Sequence, residues 1–136
     1  MDLIKSLAVA ASGLRAQAGR MRIISENIAN ADSAAPASGQ DPFRRKIATF
    51  HAELDRELDT RIVALGKVRT DPSDFRTKNE PGHPAADANG NVKYPNIYPL
   101  IELSDMREAQ RSYEANLNVI GATRRMIQRT LDILKV

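Results

Sequence analysis

Apolar residues recur at every seventh position at both ends of the chain. Near the start, Leu7, Leu14, Met21 and Ile28 keep this interval, and Leu3, Ala10 and Ile24 fall between them on the same side. That spacing is the a/d seam of a helix, sustained over about three to four heptads. Near the end, Met106, Tyr113, Ile120, Ile127 and Leu134 repeat it, with Leu103, Leu117 and Leu131 at d-like positions and Gln110 and Arg124 in the remaining d-like sites. At 1.5 Å per residue each helix would be on the order of 40 Å long. The pattern predicts a mainly α fold with a small β insert, its long N- and C-terminal helices pairing as an antiparallel coiled coil.

A seam of this kind is an ordinary core face or one that neighbouring chains complete. The composition of the first helix favours neighbours. Ala8, Ala10, Ala11, Ser12, Gly13, Ala16, Ala18 and Gly19 permit close approach from more than one side. Gly13 and Gly19 each lower intrinsic helix stability by about 1 kcal/mol, so the helix gains from assembly. The first helix is expected to stop at Asn30. Asn tolerates the left-handed conformation that finishes a helix, and Asp32, Ser33, Pro36 and Gly39 cannot carry it further. Asn27, one turn earlier, can bond the following loop or an adjacent chain.

The middle loses the seven-residue period. Lys46 to Leu58 fits a strand or a helix, and Arg61 to Arg69 predicts a strand ended by Asp71-Pro72-Ser73. Pro81-Gly82-His83-Pro84 and Asn89-Gly90 are turn signals, the second suited to a tight hairpin. Val92 to Tyr98 reads as extended, with Pro95 and Pro99 holding it to an edge. The organisation is therefore an N-terminal helix over 1–30, a loop and small β-containing insert over 31–103, and a C-terminal helix over 104–136, one unit completed by neighbouring subunits.

Composition narrows the function classes. A chain of 136 residues with no Trp and few aromatics is poorly supplied for a large core of its own. The formal charge of +3 is divided between the two ends and is too small to argue for nucleic acid. With no Cys, a disulfide framework and a thiolate metal site are excluded. Lys5 followed by Ser6 to Ala11 has the outline of a signal peptide, but the apolar run is short, Asp2 precedes it and the helical pattern runs on, so no cleavage is expected. No segment reaches the eighteen or so apolar residues of a membrane span.

Candidate chemistry mostly fails. His51 and His83 have no nucleophile at a recognised spacing, so neither is expected to be catalytic. Asp87-x-Asn89-Gly90-Asn91 opens like a calcium loop, yet its Gly is two positions early and no Glu closes it, which leaves a turn and no metal site. No glycine-rich loop leads from a strand into a helix, so no phosphate or cofactor site is expected. Arg44-Arg45-Lys46 and Arg124, Arg125 and Arg129 leave a small basic helical nucleic-acid-binding protein as the alternative; without aromatic platforms, these read as solvated faces or inter-subunit ion pairs.

The motifs then converge. Ala11-Ser12-Gly13-Leu14-Arg15-Ala16-Gln17 and Ser25-Glu26-Asn27-Ile28-Ala29-Asn30-Ala31-Asp32 resemble the signature shared by the axial proteins of the bacterial flagellum, the rod and hook subunits. Asp71-Pro72-Ser73 with Phe75, Pro81 to Pro84, Asp87 to Asn91, Tyr94-Pro95-Asn96 and the tail Asp105 to Asn116 are similar to the proximal-rod members of the basal body. Many axial proteins follow the Asn-Ile-Ala-Asn element with Thr-Pro-Gly-Tyr, where this chain has Ser33-Ala34-Ala35-Pro36 and a longer loop leading to Phe43. The resemblance implies a structural, non-enzymatic subunit of the periplasm-spanning rod that transmits torque and passes exported subunits. It implies polymerisation with copies of itself and other rod proteins, and export by the flagellar type III apparatus without a cleaved signal. No cofactor, nucleic acid or membrane insertion is implied. The expected subunit-interface residues are Leu7, Leu14, Met21, Ile24, Asn27, Ile28, Asn30, Met106, Tyr113, Leu117, Ile120, Ile127 and Leu131, and the loop after Asn30 is expected to lie against neighbours.

Overall fold

The computed structural model describes residues 2–135. Two long helices, α1 (Leu3–Asn30) and α2 (Pro99–Leu134), pack together, and six short strands lie between them in sequence: β1 (Lys46–Ile47), β2 (Phe50–Asp55), β3 (Thr60–Leu65), β4 (Arg69–Thr70), β5 (Arg76–Asn79) and β6 (Asn91–Tyr94). The fold is mainly helical with a β insert, as the periodicity predicts. The Asp2 carboxylate caps α1 by accepting from the amides of Ile4 and Lys5 at 3.0 and 3.1 Å. Pro99 stands at the first position of α2, where its missing amide costs nothing and its ring pre-sets the helical φ. That helix therefore begins inside the segment 31–103 that sequence pattern gives to the insert, ahead of the expected start at 104.

The chain forms two compact units, and both helices contribute to each. The first contains α1 up to Met21, the segment Thr49–Gly66 and α2 from Arg107 onward. Here the helices run antiparallel, with Gly13 against Asn116 and Arg20 paired to Glu108 at 3.5 Å. A Cβ on Gly13 would lie 2.6 Å from the Asn116 side chain, and one on Gly19 would lie 2.8 Å from that of Leu65. Glycine is what allows these approaches. β2 and β3 form a six-residue antiparallel hairpin from Phe50↔Leu65 to Asp55↔Thr60. Its turn is set by the Asp55 carboxylate, which accepts from the amides of Glu57 and Leu58, and by Asp59 at φ 45°.

The second unit contains Arg22–Ala48 and Lys67–Met106. β1 pairs with β4 and β5 with β6, both antiparallel. Ala35, Ala85, Val92 and Tyr94 form its apolar cluster, with Ala34 and Ala86 against them. The loop after α1 is bound to this cluster, the Ala35 amide donating to the Lys93 carbonyl at 3.0 Å and Arg76 to the Ala31 carbonyl at 2.6 Å. Its inner side is thus occupied by its own chain.

Several local expectations are corrected. The run Arg61 to Arg69 is two strands, because Gly66 closes the β2–β3 ladder on the Thr49 carbonyl and the chain then pairs with β1. Val92 to Tyr98 is a strand only as far as Tyr94; paired with β5 alone it is an edge as expected, yet Val92, Tyr94, Pro95, Asn96 and Ile97 are buried. β5 and β6 are joined by the whole segment 80–90, not by a tight two-residue hairpin, and Asn89-Gly90 is a local turn at its end with Gly90 at φ 79°. Asn30 is not left-handed. Among the described non-glycine residues only Asp59 has positive φ, and Asn30 instead donates its amide back to the Glu26 carbonyl at 2.8 Å while the chain leaves α1 through single turns, Ala31 to Ile28 and Ser33 to Asn30.

Candidate assembly surface

Which helix face is used inside the chain decides which is left for other chains. On α2, Met106, Tyr113, Ile120 and Ile127 are all partly buried, as their heptad spacing predicts. The companion row, however, is Glu102, Ala109, Asn116 and Thr123, one position before the expected Leu103, Gln110, Leu117 and Arg124. Either row completes a seven-residue seam with Met106 and Tyr113, since positions three and four residues away both flank a helical position. Small and polar residues fill the contact with α1. The leucines are turned outward, with Leu103 48%, Leu117 51% and Leu131 49% exposed.

α2 consequently presents apolar residues on both flanks of its own seam. Leu103 and Leu117 stand on one side, and Val119, Met126 and Ile133, again seven apart, stand on the other. Within the first unit, Ile4, Val9, Leu131 and Leu134 extend this exposed set. Leu3, Ile4, Ile127 and Leu131, with Asp2 and Thr130, line an open cleft of about 610 Å³ beside the end of the helix pair. On α1, Leu7, Leu14, Met21 and Ile28 are partly buried, whereas Ala10, Ser12, Gly13, Ala16, Ile23, Ile24 and Asn27 are buried outright.

The second unit is organised around a different kind of contact. Glu102 is fully buried in the first turn of α2, where the helix N-terminus favours its charge. Arg45 Nε donates to one of its oxygens, and Asn27 Nδ2 to the other at 3.1 Å. The Asn27 amide also pairs both ways with the Lys46 backbone, donating to its carbonyl at 2.8 Å and accepting from its amide at 2.9 Å. Arg45 reaches Asp71 and Asp105 as well, each at 3.4 Å. Burial pulls the Arg45 pKa down, but bonding to Glu102 and the nearby Asp71 and Asp105 carboxylates outweigh it and leave the guanidinium firmly charged. Asn96 ties in the loop, accepting from the Arg45 amide and donating to the Asp71 and Ser73 carbonyls.

The three consecutive basic residues are thus spent inside the chain. Arg44 donates to the Asp71 and Ser73 carbonyls and stacks on Phe75, 4.1 Å from the ring centre, while Lys46 pairs with Glu26 at 2.8 Å. Lys46 holds the Glu26 carboxyl below its ordinary range, and the Ser73 amide and hydroxyl do the same for Asp71. Reading 44–46 as a solvated face or a set of inter-subunit ion pairs is corrected accordingly. His83 is structural, its Nδ1 accepting from the Ala85 amide at 3.0 Å. The Asp87 carboxylate accepts from the amides of Asn89 and Asn91, making the turn that replaces a calcium loop. No three His, Cys, Asp or Glu among the described residues are grouped to hold a metal ion, and no described helix is long and apolar enough to cross a membrane.

Sequence pattern missed Glu102 and the clasp role of Arg45. An acid within an amphipathic helix reads as surface unless its partner, 57 residues away in sequence, is known.

Two family models match the chain: a flagella basal body rod protein model over residues 7–34, and a flagellar basal body rod FlgEFG protein C-terminal model over residues 88–133. Among curated proteins, the flagellar basal-body rod protein FlgC of Agrobacterium fabrum is 52% identical over 127 residues, covering 93% of this chain and 91% of that protein. FlgC of Aquifex aeolicus is 37% identical over 136 residues, covering 99% of each chain, and FlgC of Salmonella typhimurium is 35% identical over 133 residues, covering 98% of each.

Proposed function

We propose a role from a plain premise: the chain belongs to the FlgC family of flagellar basal-body rod proteins and is a structural subunit of that rod. In this reading it polymerises in the proximal rod with copies of itself and other rod proteins, using the faces of its terminal helices, and so helps build the tubular shaft that transmits torque and passes exported subunits. It performs no catalysis and binds no nucleic acid. It reaches the basal body through the flagellar type III apparatus without a cleaved signal. The three-part organisation 1–30, 31–103 and 104–136 serves this role: two axial helices form the polymer and the insert decorates it.

One observation carries the proposal, the displacement of the α2 seam by one residue. The internal contact uses Glu102, Ala109, Asn116 and Thr123, which frees Leu117, Leu131, Val119 and Met126 to be buried by other subunits. Fully burying a Leu or Met side chain is worth about 1.5–3 kcal/mol, so a few such residues per subunit supply a large share of a stable interface. The proposed contact residues Leu7, Leu14, Met21, Ile24, Ile28, Met106, Tyr113, Ile120 and Ile127 set the packing on which those flanks are displayed. Asn27 and Asn30 hold the end of α1 from within the chain.

The test is complementation of a strain lacking this gene with Leu117→Asp and Met126→Asp variants. Both variants should be exported and fold as the parent does, yet purified basal bodies should lack a complete rod and the cells should not swim. Normal rods and motility with both substitutions would remove the helix flanks from assembly.

A further inference from the structure

The segment 80–90, between β5 and β6, carries the only asparagine of the chain that glycine follows, Asn89-Gly90. With no side chain on the glycine to hinder it, its backbone nitrogen can attack the amide of the preceding side chain. A bond forms between Gly90 N and Asn89 Cγ, the Asn89 side-chain nitrogen leaves as ammonia with the proton that Gly90 gives up, and a five-membered succinimide remains. Water then opens the ring at one carbonyl or the other, giving aspartate or isoaspartate. In isoaspartate the backbone runs through Cβ and is one atom longer. The folded chain holds the attacking nitrogen away from this path. Gly90 N donates to the Asp87 carbonyl at 2.9 Å, and with neither Ala88 nor Asn89 at positive φ that bond closes a type I turn. The third residue of such a turn, here Asn89, has ψ of about 0°, whereas ring closure needs the Gly90 nitrogen to eclipse Asn89 Cβ, a rotation of about 120° from there. Further bonds oppose the rotation. The Asp87 carboxylate accepts from the amides of Asn89 and Asn91 at 2.8 and 2.9 Å, the Asn91 carbonyl accepts from the Asp87 amide at 2.9 Å, and the Gly90 carbonyl accepts from the Glu80 amide at 2.8 Å. Asn89 is exposed, but Gly90 is buried under Pro81, so close that a Cβ on it would lie 2.9 Å from Pro81 Cγ.

We infer that Asn89 is a self-modification site gated by the fold: closed while the second unit is folded, reactive when the segment 80–90 opens, and irreversible once isoaspartate has formed. Local opening and closing are fast beside this chemistry, so the rate follows the population of the open segment. The consequence is structural. An extra backbone atom between the Asn89 Cα and Gly90 takes Gly90 from under Pro81, and the bonds Glu80 to Gly90 and Asp87 to Asn91 no longer form together. Val92, fully buried two residues further on, and Tyr94 then lose the register with β5 that sets them in the apolar cluster with Ala35 and Ala85. Unfolding that outlasts the reaction therefore becomes one-way for this unit. The aspartate branch leaves the backbone length unchanged, so only the isoaspartate branch blocks refolding. The inference rests on the second unit alone and stands without the rod assignment.

The test incubates the full chain at neutral pH with and without unfolding urea and follows Asn89 by peptide mapping that separates asparagine, aspartate and isoaspartate. In urea Asn89 should convert ahead of the other asparagines, and in the folded chain it should convert at least about tenfold more slowly. Asp87→Ala removes the acceptor of two amides around the turn, so it should raise the folded rate about threefold or more and leave the rate in urea unchanged. When urea is removed after long incubation, the fraction of chains without exchange protection at Val92 should match the isoaspartate fraction, while Asn89→Asp chains should refold completely. Equal rates with and without urea, an unchanged rate in folded Asp87→Ala, or full protection at Val92 in isoaspartate-bearing chains would overturn the inference. If Asp87→Ala does not fold, the parent chain in the two solvents decides.

Discussion

The two units bury different things. In the first, the residues buried outright are Ala10, Ser12, Gly13, Ala16, Ala109 and Thr123, all small, while Ile4, Val9, Leu117, Val119, Met126, Leu131, Ile133 and Leu134 are exposed. In the second, Ile97, Val92, Pro95, Asn27 and a carboxylate, Glu102, are withdrawn from water almost completely. Hydrophobic stabilisation scales with apolar area removed, so the first unit gains little per residue from its own contacts and the second gains much. Helices whose large apolar side chains face outward are also weakly held, since most helical stability in proteins comes from packing. The second unit encloses large side chains of its own, though Leu100, Ile101 and Leu103 stay exposed at the start of α2; the first buries only small residues outright and leaves most of its large apolar side chains on the surface.

The largest effect should come from breaking the second unit at its charge centre. Arg45→Ala would leave the Glu102 carboxylate buried with only the Asn27 amide beside it, and uncompensated buried charges of this kind cost about 3–5 kcal/mol. Glu102→Gln keeps the shape and the Asn27 contact and should cost less. Urea unfolding combined with amide hydrogen exchange at Val92 and Ile97 measures both. A loss below about 1 kcal/mol for Arg45→Ala would mean that the polar centre does not distinguish the two units.

The first unit should respond to charge in its seam. Leu14 and Ile120 are both partly buried where the helices meet, so Leu14→Asp or Ile120→Asp should cost about 1–3 kcal/mol by desolvating a carboxylate beside apolar neighbours. Exchange protection should fall along residues 7–21 and 107–127 and persist at Val92 and Ile97. Protection lost equally everywhere would show one cooperative body where the packing indicates two.

Acid offers a milder way to separate them. Glu26 and Asp71, both in the second unit, have folded-state pKa values below the ordinary ones, held there by Lys46 and by Ser73 respectively. A carboxyl depressed on folding binds its proton more readily when unfolded. Its stabilisation is therefore complete above its unfolded pKa, near pH 4, and is lost as pH falls through the lower folded value. Unfolding midpoints should be flat from about pH 6 to 5 and drop below about pH 4, and Glu26→Gln should reduce the drop. An unchanged acid limb in that variant would remove the Lys46 pair as a cause.

Legibility in the sequence divides along the same line. Both helices and their seven-residue rows are legible because periodicity is a local property, and Met106, Tyr113, Ile120 and Ile127 lie on the inner side as their spacing predicts. The row beside them is not legible, because Leu103 and Leu117 satisfy the same geometry as Glu102 and Asn116 and look more like a core. Position one residue apart on a helix is decided by the partner surface. There Gly13 meets Asn116, a close approach that small residues in α1 permit. The second unit is hidden for another reason. Arg45, Asn96, Asp71 and Glu102 are polar residues scattered over the chain, and no local pattern announces that they converge.

The smallest expected effect lies at Asn30, on the border where the chain leaves α1 for its loop. Sequence chemistry puts a left-handed residue there, for which glycine would be the natural replacement and valine a damaging one. The observed φ is not positive, and the side chain bonds back to the Glu26 carbonyl, so neither requirement applies. Removing that bond should cost about 0.5–1.5 kcal/mol whichever residue replaces Asn. Glycine adds a further penalty of a few tenths from its unfolded freedom, whereas β-branching is tolerated at a helix end whose φ is ordinary. Asn30→Val and Asn30→Gly should therefore unfold within about 0.5 kcal/mol of each other, with valine no worse than glycine. A valine variant more than about 1 kcal/mol less stable than the glycine variant would restore the left-handed ending and, with it, a helix end set by local backbone chemistry. Near equality would leave the end of α1 determined by tertiary contacts of the loop beyond it: Arg76 on the Ala31 carbonyl and Ala35 on Lys93, both within the second unit.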